Sequence, residues 1–262
     1  MILMSLSIGI VGLPNVGKST LFNALTNNNI LAANYPFATI EPNTGIVPIP
    51  DKRLDDLSTL YANAPIKPAT VTFVDIAGLV KGASQGEGLG NQFLSHIRSC
   101  NAIVQVVRAF ADPNVIHVDN NHDALSDIEV INTELVLADL QTVTNRLPKL
   151  EKEARANPKL RPLLDNLERA KKLLDDNHPL FKHAEQIDIS LLEDLHLLTT
   201  KPVIYLFNMD ENDLSDDSKK QTLRELVAPA QALFVCAKLE AELQTLDETD
   251  RQELLASYGQ TE

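Results

Sequence analysis

Five short apolar runs punctuate the chain: Ser7–Val11, Ala69–Val74, Ala102–Val107, Val203–Phe207 and Leu233–Cys236. Each reads as a buried strand, and helix-like segments lie between several of them. Strand–helix alternation predicts an α/β fold with a mostly parallel sheet and helices on both faces. Ligands of such sheets bind at the carboxyl ends of the strands. The gap from Val107 to Val203 is too long for one crossover. Within it Val136, Leu140, Val143, Leu147, Leu150 and Ala154 are spaced 4, 3, 4, 3, 4. Leu160, Leu163, Leu167, Ala170 and Leu174 follow at 3, 4, 3, 4. Asn157-Pro158 breaks the chain between the two patterns, and Asn177-His178-Pro179 ends the second. They predict an antiparallel helical hairpin inserted into the α/β domain, its stripes forming a coiled-coil seam. Pro148 is expected to kink or shorten the first helix. The expected division is 5–129 for the first part of the α/β domain, 130–178 for the insertion, and 179–262 for the second part with a C-terminal helical segment.

With 262 residues, the chain is long enough to bury a real core. No apolar run approaches the roughly 18 residues of a membrane span. The start, Met1-Ile-Leu-Met4-Ser-Leu, lacks the basic region and cleavage site of a signal peptide. Cys100 and Cys236 give neither a disulfide framework nor a metal spacing. Together these features predict a cytoplasmic protein with no membrane partner. A net charge of −13 argues against broad nonspecific nucleic-acid binding, and no DNA partner is expected. The segment Arg146–Lys172 departs from this balance, with nine Lys/Arg against four Asp/Glu, a local charge of +5. It has no aromatic residue on which a base could stack, so a nucleic acid would be met through its phosphates. An ordinary solvated coiled-coil face accounts for the same charges.

The chemistry begins directly after the first predicted strand. Gly12-Leu-Pro-Asn-Val-Gly17-Lys18-Ser19 is G-x-x-x-x-G-K-S, and the helix-like run Thr20–Leu25 follows it. Glycines permit φ > 0 and let backbone N–H groups converge on phosphate oxygens. Lys18 reaches the β/γ-phosphates, the Ser19 hydroxyl ligates Mg²⁺, and the helix aims its positive end at the same group. The second predicted strand leads into Asp75-Ile-Ala-Gly78, a D-x-x-G. There Asp75 holds Mg²⁺ through water and the Gly78 N–H binds the γ-phosphate. Between the two motifs lies the loop Asn34-Tyr-Pro-Phe-Ala-Thr39-Ile-Glu-Pro-Asn43, whose Thr39 closes on Mg²⁺ when the γ-phosphate is present. Leu79 and Val80 stand where Ras-like enzymes carry the water-orienting glutamine, and neither can do that work. Gln85 lies too far along to replace it. A lone histidine in an apolar stretch, His117, reads as structural. The set Lys18, Thr39 and Gly78 is the expected catalytic machinery, and Ser19, Thr39 and Asp75 the expected metal ligands.

The run Val203–Phe207 leads into Asn208-Met209-Asp210-Glu211, where GTPases carry N-K-x-D. That aspartate accepts two hydrogen bonds from guanine. Glu211 stands in its place one methylene longer, and Met209 stands where the lysine stem would cover the base. A displaced carboxylate reads guanine poorly, and losing a bidentate base contact costs about 1–3 kcal/mol of discrimination. Asp210 is one residue short and is expected to face the other way. Cys236-Ala237-Lys238 resembles the second base loop, S-A-K, with Cys for Ser. A nucleotide kinase shares the P-loop but needs an acceptor site and a lid rather than this base motif. An ATP-directed switch and a GTP-binding GTPase both fit the residues.

These motifs together — G-L-P-N-V-G-K-S-T, N-Y-P-F-x-T-I-E-P-N, D-I-A-G-L-V-K-G-A-S-x-G-x-G-L-G-N-x-F-L and N-M-x-E — resemble the Obg-like ATPases of the YchF branch. The resemblance covers essentially the whole chain. It implies a P-loop G domain with a helical insertion, slow hydrolysis of ATP in preference to GTP, and association with ribosomes through ribosomal RNA of the large subunit. By the family pattern Asn15, Val16, Gly17, Lys18, Ser19 and Thr20 hold phosphates. Asn208 with the Met209 backbone contacts adenine, with Glu211, Cys236 and Ala237 completing the base pocket. An asparagine like Asn15 helps related proteins bind K⁺ beside Mg²⁺. The family continues into a C-terminal TGS module. This sequence stops at Glu262, after an acidic helix-like run from Glu240 to Ala256, so that module is expected to be absent from it.

Overall fold

Strand β1 (Leu6–Val11) occupies the middle of a six-stranded sheet, its last three residues fully buried. It pairs in parallel with β3 (Thr70–Asp75) on one side and β4 (Ala102–Ala109) on the other. The order is completed by β2 (Thr44–Pro48) outside β3, and by β5 (Val203–Met209) and β6 (Gln231–Val235) outside β4. Every neighbouring pair is parallel except β2–β3. The computed structural model describes residues 6–27, 44–76, 89–110 and 124–258. Five of these strands follow the apolar runs, with no end shifted by more than two residues. Cys236 lies just beyond β6 and caps the next helix. The unexpected strand is β2. Its five residues are all half-buried at the sheet edge and it ends in Pro48, so it carries no continuous apolar signal.

Helices cover both faces: α1 (Lys18–Asn27), α2 (Lys52–Leu60), α3 (Leu89–Ser99), α4 (Ala124–Ala156), α5 (Arg161–Asp175), α6 (Asp217–Val227), α7 (Ala237–Leu243) and α8 (Glu248–Ser257). No helix among the described residues is long and apolar enough to cross a membrane.

The insertion begins inside a core helix. Ile131, Leu135 and Ala138 of α4 join the apolar cluster of β1 and β4. Val136, on another face of the same turns, and then Val143, Leu147, Leu150 and Ala154 pack on Leu164, Leu167, Ala170 and Leu174 of α5. This is the seam the heptads predict. At the junction Asp139 is fully buried. Its carboxylate accepts from the Leu198 and Thr199 N–H groups at 2.8 and 2.7 Å and from the Thr199 hydroxyl at 2.7 Å. That clamps α4 to the segment entering β5. Of the two outcomes expected at Pro148, shortening does not occur: α4 runs for 33 residues through it. Pro148 and Thr144, whose carbonyl loses its partner, both lie on the exposed side of the helix. A carbonyl on that side is open to solvent, and the seam holds the opposite face.

Candidate nucleotide-binding site

The β1–α1 loop is shaped by backbone conformations that few residues accept. Asn15 has φ +64° and Gly17 φ +97°; asparagine tolerates the left-handed region, and glycine enters it freely. Close approach matters as much. A Cβ at Gly12 would lie 2.6 Å from the Val106 carbonyl, and one at Gly17 2.3 Å from Asn208 Nδ2. The Gly17 carbonyl accepts from the Leu21 N–H at 3.0 Å, which makes Gly17 the N-cap of α1. The first N–H groups of α1 therefore point out of the helix at its positive end.

Lys18 opens that helix and is nearly buried. Its Nζ donates to the Leu13 carbonyl at 2.7 Å. Burial lowers its pKa, and the Asp75 charge partly opposes that effect. Ser19 Oγ and Asp75 Oδ2, from α1 and the end of β3, are 3.5 Å apart. Sequence positions 56 residues apart thus converge as a hydroxyl and a carboxylate. Among the described residues no group of three or more His, Cys, Asp or Glu could hold a metal. Mg²⁺ on a triphosphate takes few protein ligands and draws the rest from phosphate oxygens and water. Thr39, Gly78, Leu79, Val80, Gln85 and His117 lie outside the described residues.

On the other wall, Asn208 at the end of β5 braces two loops. Its Nδ2 donates to the Val16 carbonyl at 3.0 Å, and its Oδ1 accepts from the Ala237 N–H at 2.9 Å. All three residues are at least nine-tenths buried. Each end of the Asn208 amide thus holds one wall of the pocket. Met209 is 1% exposed in the cluster beneath the site, with Tyr205, Phe207 and Leu239. Its side chain therefore packs into the core at the floor of the site. Cys236 caps α7 through Sγ, which accepts from the Leu239 N–H at 3.5 Å. Burial pushes its thiol pKa up.

These elements enclose an open cavity of about 660 Å³, lined on the phosphate side by Asn15, Gly17 and Thr20 and on the base side by Phe110, Met209, Glu211, Cys236 and Ala237. Asp210, expected to face away, lines it as well. Glu211 is held from two directions. Lys238 Nζ lies 3.2 Å from Oε1, and the Tyr258 hydroxyl donates to Oε2 at 3.1 Å. Tyr258 was not among the expected site residues. It is 47 positions from Glu211, and no local pattern marks it.

The profile of the 50S ribosome-binding GTPases matches residues 7–146, from β1 into α4. The ribosome-binding ATPase YchF of Bacillus subtilis is 45% identical over 266 residues, covering 98% of this chain and 72% of the relative. The YchF of Escherichia coli O157:H7 is 46% identical over 264 residues, with the same shares. A solved structure of the Schizosaccharomyces pombe YchF GTPase superposes with a TM-score of 0.81 at 37% identity, covering 98% of this chain and 72% of that one. Its likeness extends over the P-loop, the base loops and the α4–α5 insertion alike, and with the identity to the bacterial proteins it makes this chain a member of the YchF family of ribosome-binding P-loop ATPases.

Proposed function

We propose that the chain is an Mg²⁺-dependent hydrolase that turns over ATP slowly, in preference to GTP, and acts in the cytoplasm as a nucleotide-switched factor on the ribosome. Phosphates take the place of the Leu13 carbonyl as partner of the Lys18 amine. Their negative charge favours the ammonium form that burial disfavours. Asn15 to Thr20 supply the phosphate cradle. Ser19 and Asp75, with Thr39, would hold Mg²⁺, which neutralises charge developing on the β- and γ-oxygens. Gly78 supplies the N–H for the γ-phosphate. The bacterial relatives are described as ribosome-binding ATPases, which supports the assignment. The basic exposed tip of the hairpin supports contact with ribosomal RNA of the large subunit through phosphates.

The base reading rests on Glu211. Its carboxylate already has a donor on each oxygen, and these fix its orientation, so the two donors of a guanine edge must compete for the acceptor directions that remain. A GTP-directed reading is favoured by the fission-yeast relative's description as a GTPase. The deciding experiment is a competition titration of ATP and GTP against a fluorescent nucleotide with Mg²⁺ present. ATP should bind several times more tightly. Equal or tighter GTP binding would overturn the proposal. Glu211→Asp should raise GTP affinity, and Lys18→Ala should abolish turnover. Replacing Na⁺ by K⁺ in the same assay tests the K⁺ role of Asn15, which predicts a faster rate in K⁺.

A further inference from the structure

Helix α8 ends against the base side of the pocket, and its contacts there are too many for an incidental surface approach. Arg251 Nε donates to the Leu243 carbonyl of α7 at 3.3 Å. The Ser215 hydroxyl, from the turn that follows β5, donates to the Tyr258 carbonyl at 3.3 Å. Leu254, Leu255 and Tyr258 pack against the cluster that contains Met209, Leu214 and Leu239. Asp247 caps the helix, accepting from the Thr249 and Asp250 N–H groups at 3.1 and 3.0 Å. The phenol of Tyr258 is thus delivered by a fixed element to one atom, Glu211 Oε2.

The two donors on Glu211 are not equivalent. The Lys238 side chain is 73% exposed, and it also approaches Glu242 at 4.0 Å. Water and salt weaken so exposed a pair. Tyr258 is half-buried and anchored through both its ring and its carbonyl. A rigid donor of this kind costs little ordering entropy to keep in place.

We infer that Tyr258 is a positioning residue for base choice: its hydroxyl occupies Glu211 Oε2 and turns the carboxylate away from guanine, so that α8 biases the pocket toward adenine nucleotides. The glutamate that stands in the place of the guanine-reading aspartate would then discriminate through its partner as well as through its length. Glu211 in turn raises the pKa of the phenol, which stays protonated and a donor at neutral pH. This inference rests on the reading of Glu211 as the base-facing carboxylate.

The test is a set of dissociation constants for ATP and GTP on wild type, Tyr258→Phe, Glu211→Gln and the double variant. Tyr258→Phe keeps the ring and its packing and removes only the donor. A hydrogen bond to a charged group is worth about tenfold in an equilibrium. GTP affinity should rise by up to about tenfold in Tyr258→Phe while ATP affinity moves less than about twofold. In the Glu211→Gln background the same change should leave the ATP:GTP ratio where it was. A merely structural role would lower the melting temperature and weaken both nucleotides together. An unchanged ratio in Tyr258→Phe, with wild type preferring ATP, overturns the inference and leaves the Glu211 reading standing. So does an equal shift in both backgrounds. No ATP preference in wild type overturns the Glu211 reading and this inference with it.

Discussion

Removing the Asn208 side chain should cost the nucleotide-free protein about 3 kcal/mol. The amide bonds the Val16 carbonyl and the Ala237 N–H at 3.0 and 2.9 Å, and those residues are 1% and 2% exposed. Asn208→Ala leaves both backbone groups buried without a partner, at about 1–3 kcal/mol each. Water entering from the adjoining cavity offsets part of that. Gly17 supplies an internal check, because a Cβ there would meet Asn208 Nδ2 at 2.3 Å. Gly17→Ala therefore has two costs. One is the left-handed backbone at φ +97°, worth about 1–2 kcal/mol. The other is displacement of the Asn208 amide. Only the first survives once Asn208 is alanine. The double variant should thus be more stable than the sum of the single losses by about 1–2 kcal/mol. Urea unfolding of the four proteins without nucleotide measures every corner of this cycle. An Asn208→Ala loss below about 0.5 kcal/mol, within the range of a neutral surface change, would refute the brace. Strict additivity would refute the clash.

The remaining expectations concern the insertion. Asp139→Asn places an NH₂ against the Thr199 N–H and should cost about 1–3 kcal/mol in thermal or urea unfolding; unchanged stability would mean that the clamp contributes nothing. At the tip Arg146 pairs with Glu153 and Arg161 with Asp165, while Lys149, Lys152, Arg155 and Lys159 stand exposed. Changing those four to Glu should abolish cosedimentation with ribosomes at low salt. The wild-type interaction should itself weaken steeply as salt rises. Equal sedimentation of the two chains would remove the tip from the interface.

Features with a local physical cause were legible in the sequence. The glycines of the β1–α1 loop, the apolar run of β1 and the heptads of α4 and α5 are each determined by neighbours close in sequence. The site reads less well wherever partners come from far along the chain. Asn208 carries the base-loop signature, but its bond to the Val16 carbonyl, 192 positions away, has no local mark. The burial of the Met209 side chain beneath the site depends likewise on how β5 packs. The acidic run from Glu240 to Ala256 reads as one helix, but Asp247 caps a second and splits it into α7 and α8. That break lets the chain turn and bring Tyr258 back to Glu211.

The boundary expected at residue 130 falls inside one continuous helix, α4. A seam and a sheet-facing stripe can share one helix, because different faces of its turns point to different partners. In α4, Ile131, Leu135 and Ala138 belong to the sheet cluster, while Val136 already belongs to the hairpin. Asp139 then fixes the handover by binding the Leu198 and Thr199 N–H groups. The hairpin extends from a helix that is itself part of the core. Its direction relative to the pocket is therefore set by the packing of α4 on β4, whose next residue, Phe110, lines that pocket.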